Sequence, residues 1–151
     1  MDTPQHISNY REIIDKDGVL VQMTVGSSMR PMLKERKNTV VIEKLKGKPK
    51  ENDVVLYQRD CGKYVLHRVI KVKDNGYIIR GDNCIHNEYD IKDRHIFGIL
   101  KGYYIKDRYI ECETNNFYKF YVFFWRRTFY IRIPFMLMRI ALSKINHMLF
   151  K

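Results

Sequence analysis

Acidic residues run out at Glu113, and nothing beyond that position balances the bases that follow. Residues 117–151 hold Lys119, Arg126, Arg127, Arg132, Arg139, Lys144 and Lys151, a net +7 of the chain's +11. Cysteine is scarce as well: Cys61, Cys84 and Cys112 are an odd, widely spaced set that makes no disulfide framework, so reduced thiols are expected. Cys61, Cys84, His86 and His95 include no Cys-x-x-Cys and no compact His pair, so neither a metal nor another cofactor is expected. The N-terminal stretch MDTPQHISNYREIIDKDG has no apolar run ahead of a small-residue cleavage site, which argues against a secretory leader. Long hydrophobic runs are also missing. The most apolar region is cut by Arg126, Arg127, Arg132 and Arg139 into pieces such as Phe120–Trp125 and Ile133–Met138, far short of the ~20 residues a spanning helix needs. These absences point to a cytoplasmic chain.

What remains is ordinary globular material. A length of 151 residues allows one domain, or one small domain with an appendage, and 45% hydrophobic residues allow a real core. Asn9–Asp15 reads as a short helix with Ser8 as N-cap and Asp17-Gly18 as its stop. The periodicity then changes to strands: Val19–Val25, Thr39–Glu43, Asp53–Gln58, Tyr64–Val72, Gly76–Arg80, Ile96–Lys101 and Tyr103–Cys112, the last two divided at Gly102. Asp74-Asn75-Gly76 joins two of them as a hairpin, because Asn-Gly accepts the positive φ of a tight turn.

The end of the chain differs in kind. Residues 117–151 contain 11 of the 20 aromatics and read as a helical hairpin or one kinked helix, with Pro134 as the breakpoint. In Phe135–Phe150 the polar residues Arg139, Ser143, Asn146 and His147 share one stripe, and Leu137, Met138, Ile140, Ala141, Leu142, Ile145, Met148 and Leu149 make the rest of the circumference largely apolar. Such a helix needs cover on most sides. Two occupants compete evenly: the β-rich domain itself, or an anionic membrane surface that suits bases interleaved with Trp, Tyr and Phe. Nucleic acid is disfavoured, since the segment is too apolar for an element that reads a groove. The chain thus divides into residues 1–116, a β-rich domain, and 117–151, a basic amphipathic helical tail. Oligomeric state is not legible.

Three residue types that act together in nucleophilic catalysis occur in order. Ser28 stands in Gly26-Ser27-Ser28-Met29-Arg30-Pro31-Met32-Leu33, His67 interrupts the apolar strand Leu66-His67-Arg68-Val69-Ile70, and Asp82 follows the next strand in Gly81-Asp82-Asn83. A serine needs an adjacent base to take its proton, and the base needs a third group to orient it. Taken singly, His67 reads as a half-buried strand residue and Asp82 as a turn residue.

The ordered set Ser-Met-x-Pro-x-Leu (Ser28–Leu33), Asp-Val-Val (Asp53–Val55) with His-Arg-Val (His67–Val69), and Gly-Asp-Asn (Gly81–Asn83) resembles the signal-peptidase superfamily of serine proteases, which includes the self-cleaving SOS repressors. The resemblance spans roughly Val19–Leu100, and a histidine at position 67 is similar to the Ser-His branch rather than the Ser-Lys branch. It implies a mainly β fold with a mixed, largely antiparallel sheet. It also implies a serine endopeptidase that removes a leader or signal-like segment from a peptide or protein, with no cofactor. Ser28 would be the nucleophile, His67 the general base and acid, and Asp82 the group that orients His67, with Glu88 or Asp90 as alternative third members. The Ser28 amide would contribute to the oxyanion hole; Gly26 stands where many members carry a small polar residue, a role open to Ser27. Met29, Pro31, Arg68, Gly81 and Asn83 complete the motifs. The other expectation is a non-catalytic adaptor on a degenerate peptidase fold, acting through its tail.

Overall fold

The computed structural model describes residues 9–149 and is mainly β, with one antiparallel sheet, a short N-terminal helix and two C-terminal helices. Helix α1 spans Tyr10–Asp17. Asn9 caps it by accepting from the Glu12 amide, and Gly18 ends it in the left-handed region at φ 76°. The expected cap, Ser8, lies outside the described residues. Ile14 is the one fully buried residue of α1 and fastens it to the sheet.

The strands are β1 (Val19–Met23), β2 (Asn38–Lys44), β3 (Val54–Gln58), β4 (Tyr64–Lys73), β5 (Gly76–Arg80), β6 (Glu88–Ile91), β7 (Ile96–Ile105) and β8 (Arg108–Glu111). Their order across the sheet is β1-β2-β7-β3-β4-β5-β6, and β8 also pairs with β7. One edge of β7 follows β2, while its other edge is shared in succession by β3 and β8. Gly102 therefore does not divide two strands. It stays inside β7, where the absent side chain makes room for the Tyr109 ring and the Ile110 carbonyl of β8. The turn itself falls after Ile105, with Lys106 at φ 53°. Strand β6 has no counterpart in the sequence reading, since Glu88-Tyr89-Asp90-Ile91 is short and half acidic.

β3 is buried on both faces, and the pleat sends its alternate side chains into two cores. Val54 and Leu56 join the larger core with Ile14, Met29, Leu33 and Phe97, while Val55 and Tyr57 join the smaller one with Val69, Ile79 and Ile96.

The helical end is only partly an appendage. Helix α2 (Asn116–Arg127) starts on Asn115, whose side chain accepts from the Tyr118 amide, and it contributes Tyr118 and Val122 to the larger core. Helix α3 (Phe129–Leu149) follows after a one-residue break at Thr128. The break is there and not at Pro134. The Thr128 hydroxyl and amide both bond to the Phe124 carbonyl, the back-bonding that bends helices. Pro134 lies within α3 on an exposed turn, so the Tyr130 carbonyl deprived of its usual donor sits where water can serve it. Phe129 and Met136 are the buried residues of α3, and from Leu137 to Leu149 the helix is exposed, with Met148 at 78%. Among the described residues, no helix is long and apolar enough to cross a membrane.

Candidate active site

Ser28 lies in the loop between β1 and β2, which is tied down from within. Met29, Met32 and Leu33 are buried in the larger core, the Leu33 amide bonds to the Met29 carbonyl, and the Thr24 hydroxyl donates to the carbonyls of Lys34 and Asn38. Pro31 is exposed. Gly26 takes φ 82°, a left-handed turn open to glycine, and Ser27 is exposed. Ser28 is half-buried. Among the described residues its amide donates no hydrogen bond, so that N–H is free to serve an oxyanion, and its hydroxyl is not bonded to His67.

His67 is 6% exposed in the middle of β4, paired across from Val55. It therefore faces the smaller core, where its Nδ1 lies 3.2 Å from the Tyr57 hydroxyl and 3.2 Å from Glu88 Oε1. The other ring nitrogen, Nε2, points at Gly81. A Cβ built on Gly81 would stand 3.0 Å from His67 Nε2, 2.6 Å from the Ser28 carbonyl oxygen and 2.8 Å from Cys84 Sγ. Gly81 is thus where the Ser28 loop and the histidine converge, and only a residue without a side chain fits between them.

Glu88 is held firmly. Arg59 grips both its carboxylate oxygens, with Nε donating at 2.9 Å. Burial alone would raise the Glu88 carboxyl, but hydrogen bonds from His67, Arg59 and Tyr57 outweigh it and hold the group well below the ordinary carboxylate range. An ionised carboxylate only accepts, which assigns the proton of the neutral imidazole to Nδ1 and leaves Nε2 as the acceptor facing Gly81. Burial, and then the Glu88 charge, pushes the Tyr57 phenol above its usual value, so it remains a donor.

Asp82 is placed differently from the sequence expectation. Arg68 is the neighbour of His67 on β4 and so faces the opposite, larger core, 1% exposed. It takes both Asp82 oxygens, Nε to Oδ1 at 2.8 Å and Nη2 to Oδ2 at 2.7 Å, while Tyr121 donates to Oδ2 at 3.0 Å. The carboxylate of Asp82 therefore serves Arg68, and the group that touches the imidazole is Glu88. Burial opposes the charge on Arg68, but Asp82 beside it keeps the guanidinium firmly charged. Tyr118, Met32 Sδ and the Asn52 carbonyl accept its remaining donors.

The Arg68–Asp82 pair still bears on the Ser28 loop. It fixes the Gly81-Asp82-Asn83 turn, from which the Asn83 amide donates to the Ser28 carbonyl at 2.8 Å and its side chain to the Ser27 carbonyl at 3.0 Å. The Trp125 indole holds the same turn through the Asp82 carbonyl. Asp90, the other alternative, is exposed at φ 62°. There it forms the bulge of β6. Tyr77 and Ile79 are two residues apart, while their partners Ile91 and Glu88 are three apart, so the extra residue turns Glu88 to the His67 face.

Arg59, Tyr57, Tyr121 and Trp125 were not marked by any motif: Tyr57 comes from the end of β3, which pairs with β4, Arg59 from just beyond it, and Tyr121 and Trp125 from α2, distant in sequence. A buried Arg68 without an evident partner was the available signal for Tyr118 and Tyr121. Cys84 also lies beside His67, but burial pushes its thiol up, away from the reactive thiolate. No group of three or more His, Cys, Asp or Glu able to hold a metal ion occurs among the described residues. Comparison with known proteins finds no matching family model, no matching curated protein and no matching solved structure.

Proposed function

We propose that the chain is a serine endopeptidase similar to the signal-peptidase superfamily, acting on the cytoplasmic side to cut a leader or signal-like segment from a peptide or protein. The observation that carries this reading is the convergence of the Ser28 loop and His67 Nε2 on Gly81, with Nδ1 held by an ionised Glu88. Ser28 Oγ attacks the scissile carbonyl as Nε2 takes its proton. The oxyanion receives the Ser28 amide, Glu88 stabilises the imidazolium, and Nε2 returns the proton to the leaving amine. Water then repeats the sequence on the acyl-enzyme. A substrate closing over the loop brings Oγ into hydrogen-bond reach, as such bonds tighten in the bound state.

The test is to incubate the protein with peptides from its native cell and read new termini by mass spectrometry. Wild type is expected to generate termini absent with Ser28→Ala and with His67→Ala, while Cys84→Ala retains most cleavage. The same termini from Ser28→Ala would end the reading.

A second reading concerns location, and the exposed half of α3 favours it. Leu142, Ile145 and Met148 are at least half exposed, no acidic residue occurs after Glu113, and Arg126, Arg127 and Lys144 belong to the same helices. An anionic bilayer matches both the apolar surface and the charge. The chain is expected to float with vesicles containing phosphatidylglycerol and not with phosphatidylcholine alone; equal recovery from both would remove the electrostatic part of the reading. Binding undiminished when 137–151 are deleted would exclude α3 as the anchor.

A further inference from the structure

Beside the Ser28 loop the structure has a cleft of about 540 Å³, a size in the range that encloses a small ligand or a few residues of peptide. It lies between the loop that carries Ser28 and the first half of α3. Arg30, Lys34, Lys37, Arg132 and Arg139 line it, against the single carboxylate of Glu35. None of the five cations takes part in an ion pair among the described residues, unlike Lys44, which pairs with Asp15, and Lys101, which pairs with Glu113. Arg132 is packed rather than solvated. Its guanidinium lies 3.5 Å from the Trp125 ring centroid, Nη2 donates to the Trp125 carbonyl, and Nε is buried with no partner. Cations gathered in a concave site reinforce one another's field and draw an anion into it. Trp125, Phe135 and Met136 give the same cleft an apolar wall.

We infer that this cleft holds an acidic segment of the polypeptide substrate, two or more carboxylates beside an apolar residue, next to the bond presented to Ser28. Position decides for peptide over a lipid headgroup. Arg30 and Pro31 are two and three residues past Ser28, and Asn83, a wall of the cleft, is bonded to the carbonyls of both Ser27 and Ser28. Arg139 in turn donates to the Asn83 side chain, so the cleft and the nucleophile loop share one hydrogen-bonded frame. A chain crossing Ser28 runs directly into the cations. Naming the ligand as a substrate segment rests on the peptidase reading; the acidic preference rests on the cleft alone.

Trp125 is the only tryptophan, so its emission reports the cleft directly. The probe is a short synthetic peptide of glutamate with one leucine, compared with the same peptide carrying glutamine for glutamate. The glutamate peptide is expected to shift Trp125 emission saturably in wild type and in Ser28→Ala alike, and added salt is expected to weaken it. The double variant Lys34→Gln, Arg139→Gln is expected to bind it roughly tenfold more weakly. Equal binding of the two peptides, or salt-independent binding, would overturn the proposal; the salt series needs no variant to fold. A shift caused by phosphatidylglycerol vesicles and not by the glutamate peptide would overturn it in favour of a headgroup site. Binding of the glutamate peptide by a chain that cuts nothing would defeat the peptidase reading and leave the acidic preference standing.

Discussion

Two carboxylates face two bases across β4, and their tasks are opposite. Glu88 shares the smaller core's face with His67, so removing its charge changes the imidazole while leaving the larger core intact. Asp82 neutralises a guanidinium that is almost fully buried, so removing its charge strands that cation. Glu88→Gln is accordingly expected to lower cleavage on the order of 10²–10⁴-fold, as loss of the group that orients a catalytic histidine does. Asp82→Asn is expected to lower stability by about 3–5 kcal/mol, the scale of breaking a buried pair. Paired measurements of cleavage rate and urea unfolding separate the two. Glu88 also carries a pH signature. Its folded pKa lies below its ordinary value of 4.5, so its stabilising contribution is complete above about pH 4.5 and is lost as the pH falls toward the folded value. The stability gap between wild type and Glu88→Gln should therefore be constant at neutral pH and close in acid. A gap that widened in acid would show that Glu88 is not held as an ion.

At the scale of elements, the bulge of β6 sets the geometry of the site. Asp90 supplies the left-handed residue that turns Glu88 inward, and its own side chain is exposed. Asp90→Gly is expected to keep both fold and cleavage, whereas Asp90→Val puts a β-branched side chain at positive φ and should cost about 1–3 kcal/mol with loss of activity. Thermal unfolding and cleavage rate decide between them. The same strand marks the limit of what was legible in the sequence. β2 and β5 were readable because burial of alternate residues repeats along each, and β3 and β4 because their runs are β-branched and apolar. The motifs singled out Ser28 and His67, and the structure brings the Ser28 loop and His67 to the same turn at Gly81; Gly102 misled because a glycine inside a strand makes room for a neighbour as well as marking turns. Glu88 was named only as an alternative to Asp82. The pairing that decides between them depends on a one-residue bulge and on which face of the sheet Arg68 occupies, and neither leaves a local pattern.

For the whole molecule, the boundary near residue 116 is one of charge and not of packing. Helix α2 gives Tyr118 and Val122 to the core, and Tyr118 and Tyr121 complete the surroundings of Arg68 and Asp82. A chain ending before α2 is expected to lose several kcal/mol, because the core loses Tyr118 and Val122 and the Arg68–Asp82 pair loses the hydroxyls of Tyr118 and Tyr121. A chain ending after Ser143 loses, among the described residues, only exposed ones and should unfold within a few degrees of the full chain. Thermal denaturation of the two truncations tests this, and equal midpoints would show that α2 does not belong to the cooperative unit. The opposite orientations of His67 and Arg68 reach further than the site. Because they are adjacent on a strand buried in two layers, a slip of one residue in β4 would turn the guanidinium into the smaller core, away from Asp82, and the imidazole into the larger one. Hydrophobic neighbours such as Val65, Leu66 and Val69 would tolerate such a slip, but an unpaired buried cation would not. The pair that steadies the Ser28 loop thus also acts as a register key during folding, rejecting misaligned sheets that the apolar residues alone would accept.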